Sequence, residues 1–366
     1  RDPLLALALL LSSAAIALAL TLPLYERAIH LFARLSSALP RTGGGYALYQ
    51  LITFGACLAL MIGPTLALGA TFPLVARAAM RTRASMGERV GLTYAVNTIG
   101  TIAGAICAAA LMPRTGLHGL FVTELFVLTV AACAAIFGLE RRPPRAAVVA
   151  LTGAGMAVFL SLAFGGWRYQ VIAAGVYRIE GEPPATFDRF LKILGQERQV
   201  YVADGFGATV TVGESAGDLT LRVNGKADAS VPGDMPTQAL LGHLPMILKP
   251  DAKHALVIGL GSGVTSGAVL QHEGAIVDTV ELLPEVAVAS ELFAAFNGNV
   301  LDDPRMRLTI DDAKTFLKLA PRRYDVIISE PSNPWMAGIG ALFTQEFYND
   351  VDAALAPDGL FVQWCH

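Results

Sequence analysis

The stretch that most constrains the fold lies at residues 255–281, where two apolar runs flank a glycine-rich turn. The first run leads directly into Gly259-Leu260-Gly261-Ser262-Gly263, and the second ends in Glu281. Strand, glycine turn, helix, strand and acid in this order are typical of an open parallel sheet with a nucleotide site at the carboxyl ends of its strands. The glycines let the backbone turn sharply and approach a ligand closely. The acid can accept hydrogen bonds from both hydroxyls of a ribose.

Three later segments strengthen this prediction. Residues 307–310 are predicted to form a strand that ends at Asp311-Asp312, residues 324–328 a strand that ends at Ser329-Glu330, and residues 360–363 a further strand. The carboxyl ends of such strands line one crevice in an open α/β sheet. A glycine turn alone is weak support for nucleotide binding, whereas the whole series of strand ends is much more specific.

The N-terminal part has a different composition. The chain is 54% hydrophobic and only 16% charged, with a mean hydropathy of +0.53, which is unusual for a purely soluble protein. All six lysines lie after residue 168, and only five acidic residues precede it. We therefore predict a multi-pass helical membrane domain at 1–168. A connector and small antiparallel β-sheet, with strands at 199–202, 209–212 and 219–223, are predicted at 169–250. They are followed by a predicted Rossmann-like domain at 251–366.

The apolar segments of the first domain predict five membrane spans, or six if one long segment crosses twice. A helix at the membrane surface is expected over 25–39. Asn97 and Glu124 are polar residues within predicted spans. Either both line a substrate or proton path, or, more simply, Asn97 forms a helix–helix hydrogen bond and Glu124 lies at the membrane interface. The predicted spans are 4–24, 46–80, 90–112, 117–139 and 146–167.

The soluble part resembles the spermidine synthase, or polyamine aminopropyltransferase, family, and the whole chain resembles its membrane-fused branch. The resemblance implies the fold of the S-adenosylmethionine-dependent methyltransferases. The matching pieces are Asn224-Gly225-Lys226, Asp234 to Pro245, the turn at Gly259, Glu281-Leu282-Leu283-Pro284, Asp303-Pro304-Arg305, Asp312-Ala313, Ser329 to Trp335 and Leu342 to Tyr348.

The resemblance also implies roles for individual residues. Glu281 would hold the ribose of S-adenosylmethionine or its decarboxylated form, and Glu330 would help to deprotonate the attacking amine. Gln238 would retain a donor contact, although Ala239 replaces a glutamate. The implied donor-binding set is Gly259, Gly261, Ser262, Gly263, Glu281, Asp312, Ala313 and Gln238, and the implied catalytic pair is Glu330 and Asn333.

Three departures from the family pattern weaken the case for a polycationic acceptor. Ser262, Asn333 and Asn224 stand where the family has acids. A polyamine is multiply protonated and needs charged partners when it is desolvated, so putrescine is not the expected acceptor. Beyond the same loop, Trp335 and Met336, with Phe343, are predicted either to line an apolar acceptor pocket or to pack the loop.

Two functions remain open. One is a membrane-bound transferase that takes an S-adenosyl-type donor and an amine or other nucleophile. The other is a non-catalytic subunit that keeps the fold as a scaffold in a larger complex. Transport of polyamines has little support beyond the membrane segments. The expected partners are these small molecules, a lipid bilayer and either identical subunits or a larger membrane complex.

Nucleic acid is not expected, since the net charge is −3. No metal is expected, since the four cysteines lack metal-ligand spacing. We expect a bacterial inner-membrane location. The arginine-rich loops should be cytoplasmic, which would place the soluble domain on the other side. A domain that uses an S-adenosyl donor is, however, expected on the side where the donor is made.

Overall fold

The computed structural model describes residues 2–79, 86–139, 143–175, 182–334 and 338–365. The chain divides into two compact units, one of residues 1–172 with 176–194 and the other of residues 173–175 with 195–366. This division keeps the small antiparallel sheet and the parallel sheet in one unit. The three-part division of the chain at 168 and 250 stays a prediction.

The first unit is entirely helical within the residues that the structure describes. Alanine and leucine side chains on one face of its first helix pack against the fourth and fifth helices and form the core of the unit. The helices are α1 (Pro3–Ala38), α2 (Gly43–Gly69), α3 (Thr71–Ala79), α4 (Met86–Phe137), α5 (Arg145–Ala163), α6 (Tyr169–Ile172) and α7 (Phe187–Leu194).

Helix α1 differs from the prediction because it continues through Pro23 instead of ending near residue 24. The predicted surface helix at 25–39 is therefore the second half of α1. A proline inside a helix removes one backbone hydrogen bond. The indole N–H of Trp167 donates to the Leu22 carbonyl at 2.8 Å, and the Tyr25 ring packs edge-on against Trp167. These contacts hold the helix on both sides of the proline.

Four helical segments are long and apolar enough to cross a membrane: 3–38, 43–79, 87–137 and 145–163. The third contains Gly116, whose φ of 68° interrupts the helix. The interruption falls between the two spans predicted at 90–112 and 117–139. The segment predicted at 46–80 is divided between α2 and α3.

The second unit contains two sheets. Strands β1 (Arg198–Asp204), β2 (Thr209–Ser215), β3 (Asp218–Val223) and β4 (Lys226–Val231) form an antiparallel sheet in sequential order. The prediction included the first three and missed β4. Asn224 and Gly225 turn the chain between β3 and β4 with positive φ angles, as expected for an Asn-Gly hairpin. The Asn224 side chain accepts from the Thr209 N–H at 2.9 Å.

The parallel sheet has the order β7-β6-β5-β8-β9. Its central strand is buried along almost its whole length, as expected where helices cover both faces. The strands are β5 (His254–Ile258), β6 (Ile276–Glu281), β7 (Met306–Ile310), β8 (Tyr324–Ser329) and β9 (Leu355–Gln363). The helices are α8 (Met235–Leu248), α9 (Val264–Leu270), α10 (Pro284–Ser290), α11 (Ala294–Asn297), α12 (Ala313–Lys318) and α13 (Gln345–Ala354), with short 3₁₀ turns at Glu291–Phe293, Val300–Asp302 and Ile339–Phe343.

Strand order reverses direction at β5, since β6 and β7 lie on one side of it and β8 and β9 on the other. Open α/β sheets bind ligands outside the carboxyl ends of the strands at such a switch point. The predicted parallel sheet is therefore present, and its strand order predicts a crevice at the ends of β5 and β8.

Candidate functional site

The glycine turn after β5 is shaped by its backbone angles. Gly259, Gly261 and Gly263 have φ angles of 95°, 54° and 82°, a region that side chains other than glycine rarely adopt. A Cβ atom at Gly259 would lie 2.9 Å from the Glu330 carbonyl oxygen. The Glu330 N–H donates to the Ile258 carbonyl at 2.9 Å. Glycine at 259 therefore allows the loops that follow β5 and β8 to touch.

Glu281 ends β6 and is bound to this turn. Its carboxylate accepts from the backbone N–H groups of Leu260, at 3.0 Å, and Leu283, at 2.9 Å. The side chain is buried, and desolvation raises the pKa of Glu281, while the backbone donors oppose that shift. Each oxygen of a carboxylate has two lone pairs. The group can therefore hold the turn and still accept from a ribose hydroxyl.

Asp312 and Ala313 follow β7, the next strand outward. The Asp312 carboxylate accepts from the Thr315 N–H at 3.0 Å and so caps α12. Asp312 is exposed and Ala313 is buried. Asp312, Glu281, the glycine turn and Glu330 follow four adjacent strands, β7, β6, β5 and β8, at the same edge of the sheet.

Gln238 reaches the site from α8. Its side-chain oxygen accepts from the Ser262 hydroxyl at 2.9 Å, and both residues are buried. The Thr265 hydroxyl lies 3.0 Å from the backbone carbonyl oxygen of Gln238 and 2.6 Å from a carboxylate oxygen of Glu330. Ser262, Gln238, Thr265 and Glu330 thus form one polar network between α8, α9 and the loop after β8.

Glu330 supplies the carboxyl group of this network. Desolvation raises its pKa to about 7, and the negative charges of Asp234 and Asp228 act in the same direction. Hydrogen bonds from Thr265 and Gln238 oppose the shift. A carboxyl group that titrates near neutral pH can take up and release a proton under ordinary conditions, which suits general acid–base chemistry.

Asn333 lies three residues beyond Glu330 and is 5% exposed. Its side-chain nitrogen has no hydrogen-bond partner within the described residues of this chain. Buried polar groups are nearly always paired in folded proteins, so an unpaired donor in a crevice is a position for a ligand atom. Trp335 and Met336, predicted to line an acceptor pocket, lie outside the described residues. Phe343 ends a 3₁₀ turn and is partly buried.

Neither Lys226 nor Asp228, which both lie on β4, was predicted as a site residue. Asp228 on β4 accepts from the Ser332 hydroxyl at 2.6 Å and forms an ion pair with Lys226. Their segment contains alternating small residues and gave no strand prediction. The register of β4 shifts at Asp228, since Leu221 pairs with Ala229 and Arg222 with Ala227, so simple alternation along a strand would not have placed these two side chains together. Asn224, by contrast, serves the β-hairpin turn.

Within the described ranges, no group of three or more His, Cys, Asp or Glu side chains is arranged to hold a metal ion. Glycine turn, ribose-type acid and neighbouring strand-end aspartate define the methyltransferase-like type of Rossmann domain.

Comparison with known proteins shows what the C-terminal part of the chain is similar to. Residues 235–364 match the family described as spermine/spermidine synthase domain.

Individual relatives include polyamine aminopropyltransferase 1 of Streptomyces coelicolor, which is 27% identical over 351 residues, 92% of this chain and 64% of the relative. The polyamine aminopropyltransferase of Clostridium perfringens is 36% identical over 124 residues, 34% of this chain and 44% of the relative. The chain thus spans less than two thirds of the length of either protein. A crystal structure of spermidine synthase with the transition-state analogue AdoDATO aligns with a TM-score of 0.43 and 27% identity, covering 45% of this chain and 57% of that one.

Proposed function

We propose that this protein is a membrane-bound transferase that binds an S-adenosyl-type donor, either S-adenosylmethionine or its decarboxylated form, and acts on an amine or other nucleophile different from putrescine. The observation that carries the proposal is the row of Asp312, Glu281, glycine turn and Glu330 along one edge of the parallel sheet. This row of residues combines a nucleoside-type site with the carboxyl group of Glu330, whose pKa is about 7.

On the donor side, Glu281 accepts from the ribose hydroxyls, and Asp312 with Ala313 holds the adenine. The second oxygen of the Asp312 carboxylate is suited to accept from the exocyclic amine, because the first caps α12. Gly261 brings backbone close to the ligand without a Cβ atom. Gln238 and Ser262 hold the inner wall of the turn through their mutual hydrogen bond.

On the acceptor side, Glu330 acts as the base. The nitrogen of the acceptor attacks the carbon next to the donor's sulfonium, the carbon–sulfur bond breaks, and its electron pair stays on sulfur as a thioether. The proton lost by the nitrogen goes to the Glu330 carboxylate. Such a displacement depends mainly on alignment and on a neutral nucleophile. Thr265 and Gln238 orient the carboxylate.

The membrane location is supported by the apolar helices of the first unit. Four segments have the length and hydropathy of membrane spans. The match to the Streptomyces coelicolor aminopropyltransferase extends over 92% of this chain, so it includes most of that unit. A bacterial inner membrane is consistent with this relative.

A non-catalytic scaffold is the second candidate function. It is favoured by the replacement of three family acids by Ser262, Asn333 and Asn224, together with the arginine distribution that would place the cleft away from the cytoplasm. In this case the domain would serve as a docking surface in a larger membrane complex or between identical subunits.

The test is calorimetric titration of the detergent-solubilised protein with S-adenosylmethionine, decarboxylated S-adenosylmethionine and methylthioadenosine. We expect at least one to bind. Glu281→Ala should abolish binding, and Asp312→Asn should weaken it while an asparagine still caps α12. Glu273→Ala, a change at an exposed acid, is the matched control. Thermal melting verifies that each variant is folded. No binding by any of the three nucleosides would refute the transferase and leave the scaffold.

A further inference from the structure

Strand β4 carries a buried ion pair. Lys226 is 6% exposed, and its ammonium group donates to a carboxylate oxygen of Asp228, two residues further along the strand. Lysine is almost never buried to this degree without a partner. The same oxygen of Asp228 accepts from the Ser332 hydroxyl at 2.6 Å. The carboxylate is therefore already neutralised and hydrogen-bonded within the chain.

This pair lies beside the candidate site. Ser332 is two residues beyond Glu330, in the loop that follows β8. The negative charge of Asp228 contributes to raising the pKa of both Glu281 and Glu330, so its carboxylate lies near both. The neighbouring Ala229 is the nearest contact of a Cβ atom placed on Gly261, at 3.9 Å. The β4 pair thus borders the crevice between the glycine turn and the β8 loop.

The unpaired donor of Asn333 lies in the same loop. Because the residue is 5% exposed and its nitrogen has no partner in the described part of the chain, a ligand atom with a lone pair would stabilise it. An ammonium group has no lone pair, whereas a hydroxyl or carboxylate has several. An unpaired buried donor costs about 1–3 kcal/mol, so a ligand oxygen at this point would gain affinity.

We propose that Lys226 determines acceptor specificity: its ammonium group occupies Asp228, and the site takes a monoamine that carries an oxygen function, such as an amino alcohol or an amino acid, in place of a diamine. This inference rests on the proposed transferase function and names its acceptor class. A diamine brings a second ammonium group that would need a carboxylate when desolvated. The Lys226 ammonium both repels that group and holds the carboxylate.

The other carboxylates near the crevice do not replace Asp228. Glu281 is bound to the backbone of the turn, and Glu330 takes the proton of the reacting amine. Asp234 is exposed, and its carboxylate accepts from the Ser230 hydroxyl at 2.7 Å. The second ammonium group of a diamine could therefore pair only with solvent-exposed Asp234. In the buried part of the crevice it would lie near the Lys226 ammonium group and the Asn333 amide.

The experiment compares three acceptors with the same four-carbon chain: putrescine, 4-aminobutan-1-ol and 4-aminobutanoate. Each is titrated calorimetrically into the full-length, detergent-solubilised protein that has been saturated with methylthioadenosine. We expect 4-aminobutan-1-ol or 4-aminobutanoate to bind at least tenfold more tightly than putrescine. Equal or tighter binding of putrescine by the wild type would overturn the inference, and this comparison requires no variant.

Variants then test the role of the lysine. Lys226→Met should raise putrescine affinity at least tenfold because it frees Asp228, and adding Asp228→Asn should remove that gain. Lys253→Met, at an exposed lysine before β5, should change nothing. A folded Lys226→Met protein that binds methylthioadenosine but does not gain putrescine affinity would refute the assignment to Lys226. Failure of the wild type to bind methylthioadenosine, S-adenosylmethionine or decarboxylated S-adenosylmethionine would instead refute the proposed function, and with it this inference.

Discussion

At the scale of single residues, the hydrogen bonds around Glu330 bear on the protonation of its carboxyl group. The Thr265 hydroxyl has one hydrogen, yet it lies within hydrogen-bonding distance of two acceptors, the Gln238 carbonyl and the Glu330 carboxylate. The hydroxyl can therefore donate to only one of them at a time. Burial, and not this hydrogen bond, raises the pKa of Glu330, because a bond donated by Thr265 favours the charged carboxylate.

This raised pKa predicts a stability that falls with increasing pH. The pKa of Glu330 rises from 4.5 in the unfolded chain to about 7 in the folded protein. Between these values the folded state binds more protons, so the free energy of unfolding decreases as pH rises and levels off above about pH 7. At 1.36 kcal/mol per pH unit the total loss approaches about 3 kcal/mol.

Glu330→Gln mimics the neutral acid and should remove this slope. We expect the variant to melt at a higher temperature than the wild type at pH 8, and the two to converge near pH 4.5, while transferase activity is lost. Thermal melting of the solubilised protein between pH 4.5 and pH 8 measures the effect, with Glu273→Gln as the exposed control. Parallel pH profiles for wild type and Glu330→Gln would contradict the prediction.

A second residue-scale prediction concerns Tyr324, which is fully buried at the start of β8. Its hydroxyl donates to Asp278 at 2.8 Å, and burial together with this carboxylate raises the pKa of Tyr324 well above its usual value. Asp278 is 4% exposed and has Arg322 at 3.8 Å. Tyr324→Phe removes a hydrogen bond from a buried charge and should destabilise the domain by about 2–3 kcal/mol.

The matched control is Tyr348→Phe. Tyr348 is 39% exposed, and its hydroxyl donates to Gln363 at 2.7 Å, so the loss should be about 1 kcal/mol or less. Denaturant unfolding followed by circular dichroism of both variants provides the comparison. Equal destabilisation by the two substitutions would show that Asp278 does not depend on Tyr324.

At the scale of elements, the sequence predicted the parallel sheet well because its strands are rich in apolar residues and most of them end in glycine or polar residues. Strand β4 was not predictable in this way, because Lys226-Ala-Asp-Ala-Ser-Val contains one β-branched hydrophobic residue and two charges. Those charges neutralise one another only after folding. The network of Gln238 with Thr265 was equally hidden, since it requires α8 and α9 to approach closely.

That approach depends on Gly242 in α8. A Cβ atom at this position would lie 2.6 Å from the Thr265 carbonyl oxygen and 2.7 Å from the Ala268 Cβ. Gly242→Ala should therefore separate the two helices and break the Gln238 hydrogen bonds to Ser262 and Thr265. Overpacking of this kind destabilises by about 1–3 kcal/mol, and we expect methylthioadenosine affinity to fall at least tenfold.

Gly104→Ala in α4 is the control, because nothing in the described chain lies within 4 Å of the added Cβ atom. It should leave nucleoside affinity unchanged and stabilise α4 by up to about 1 kcal/mol. Calorimetry and thermal melting are applied to both variants. Unchanged nucleoside affinity in Gly242→Ala would show that the α8–α9 contact does not shape the turn.

At the scale of the whole molecule, the helices of the first unit expose large apolar side chains. On α2 alone, Leu51, Phe54 and Leu66 are each at least 65% exposed. Soluble monomers rarely expose apolar surface of this extent. The length and hydropathy of these helices favour a lipid bilayer as the surroundings of this apolar surface. The side of the membrane on which the cleft lies then bears on the choice between transferase and scaffold.

The distribution of arginines along the chain predicts on which side of the membrane the cleft lies. Residues 77–89 and 141–145 carry seven arginines, whereas residues 25–45 and 113–116, which are expected on the opposite side, carry four. By the positive-inside rule the first two segments are cytoplasmic, and α5 then carries the chain across. We expect exposed Cys365 to react with a membrane-impermeant maleimide in intact cells, after Cys57, Cys107 and Cys133 are replaced by alanine.

The internal control is Pro143→Cys, in the same background with Cys365 also replaced by alanine, because residue 143 lies before α5 and should be protected until the cells are broken. If Cys365 reacts and the Pro143→Cys variant does not, α5 crosses the bilayer and the cleft lies outside the cytoplasm, which requires a donor on that side or favours the scaffold. If both proteins are protected, the arginine bias does not set the orientation of α5. The cleft then shares the compartment in which S-adenosyl donors are made, as the transferase requires.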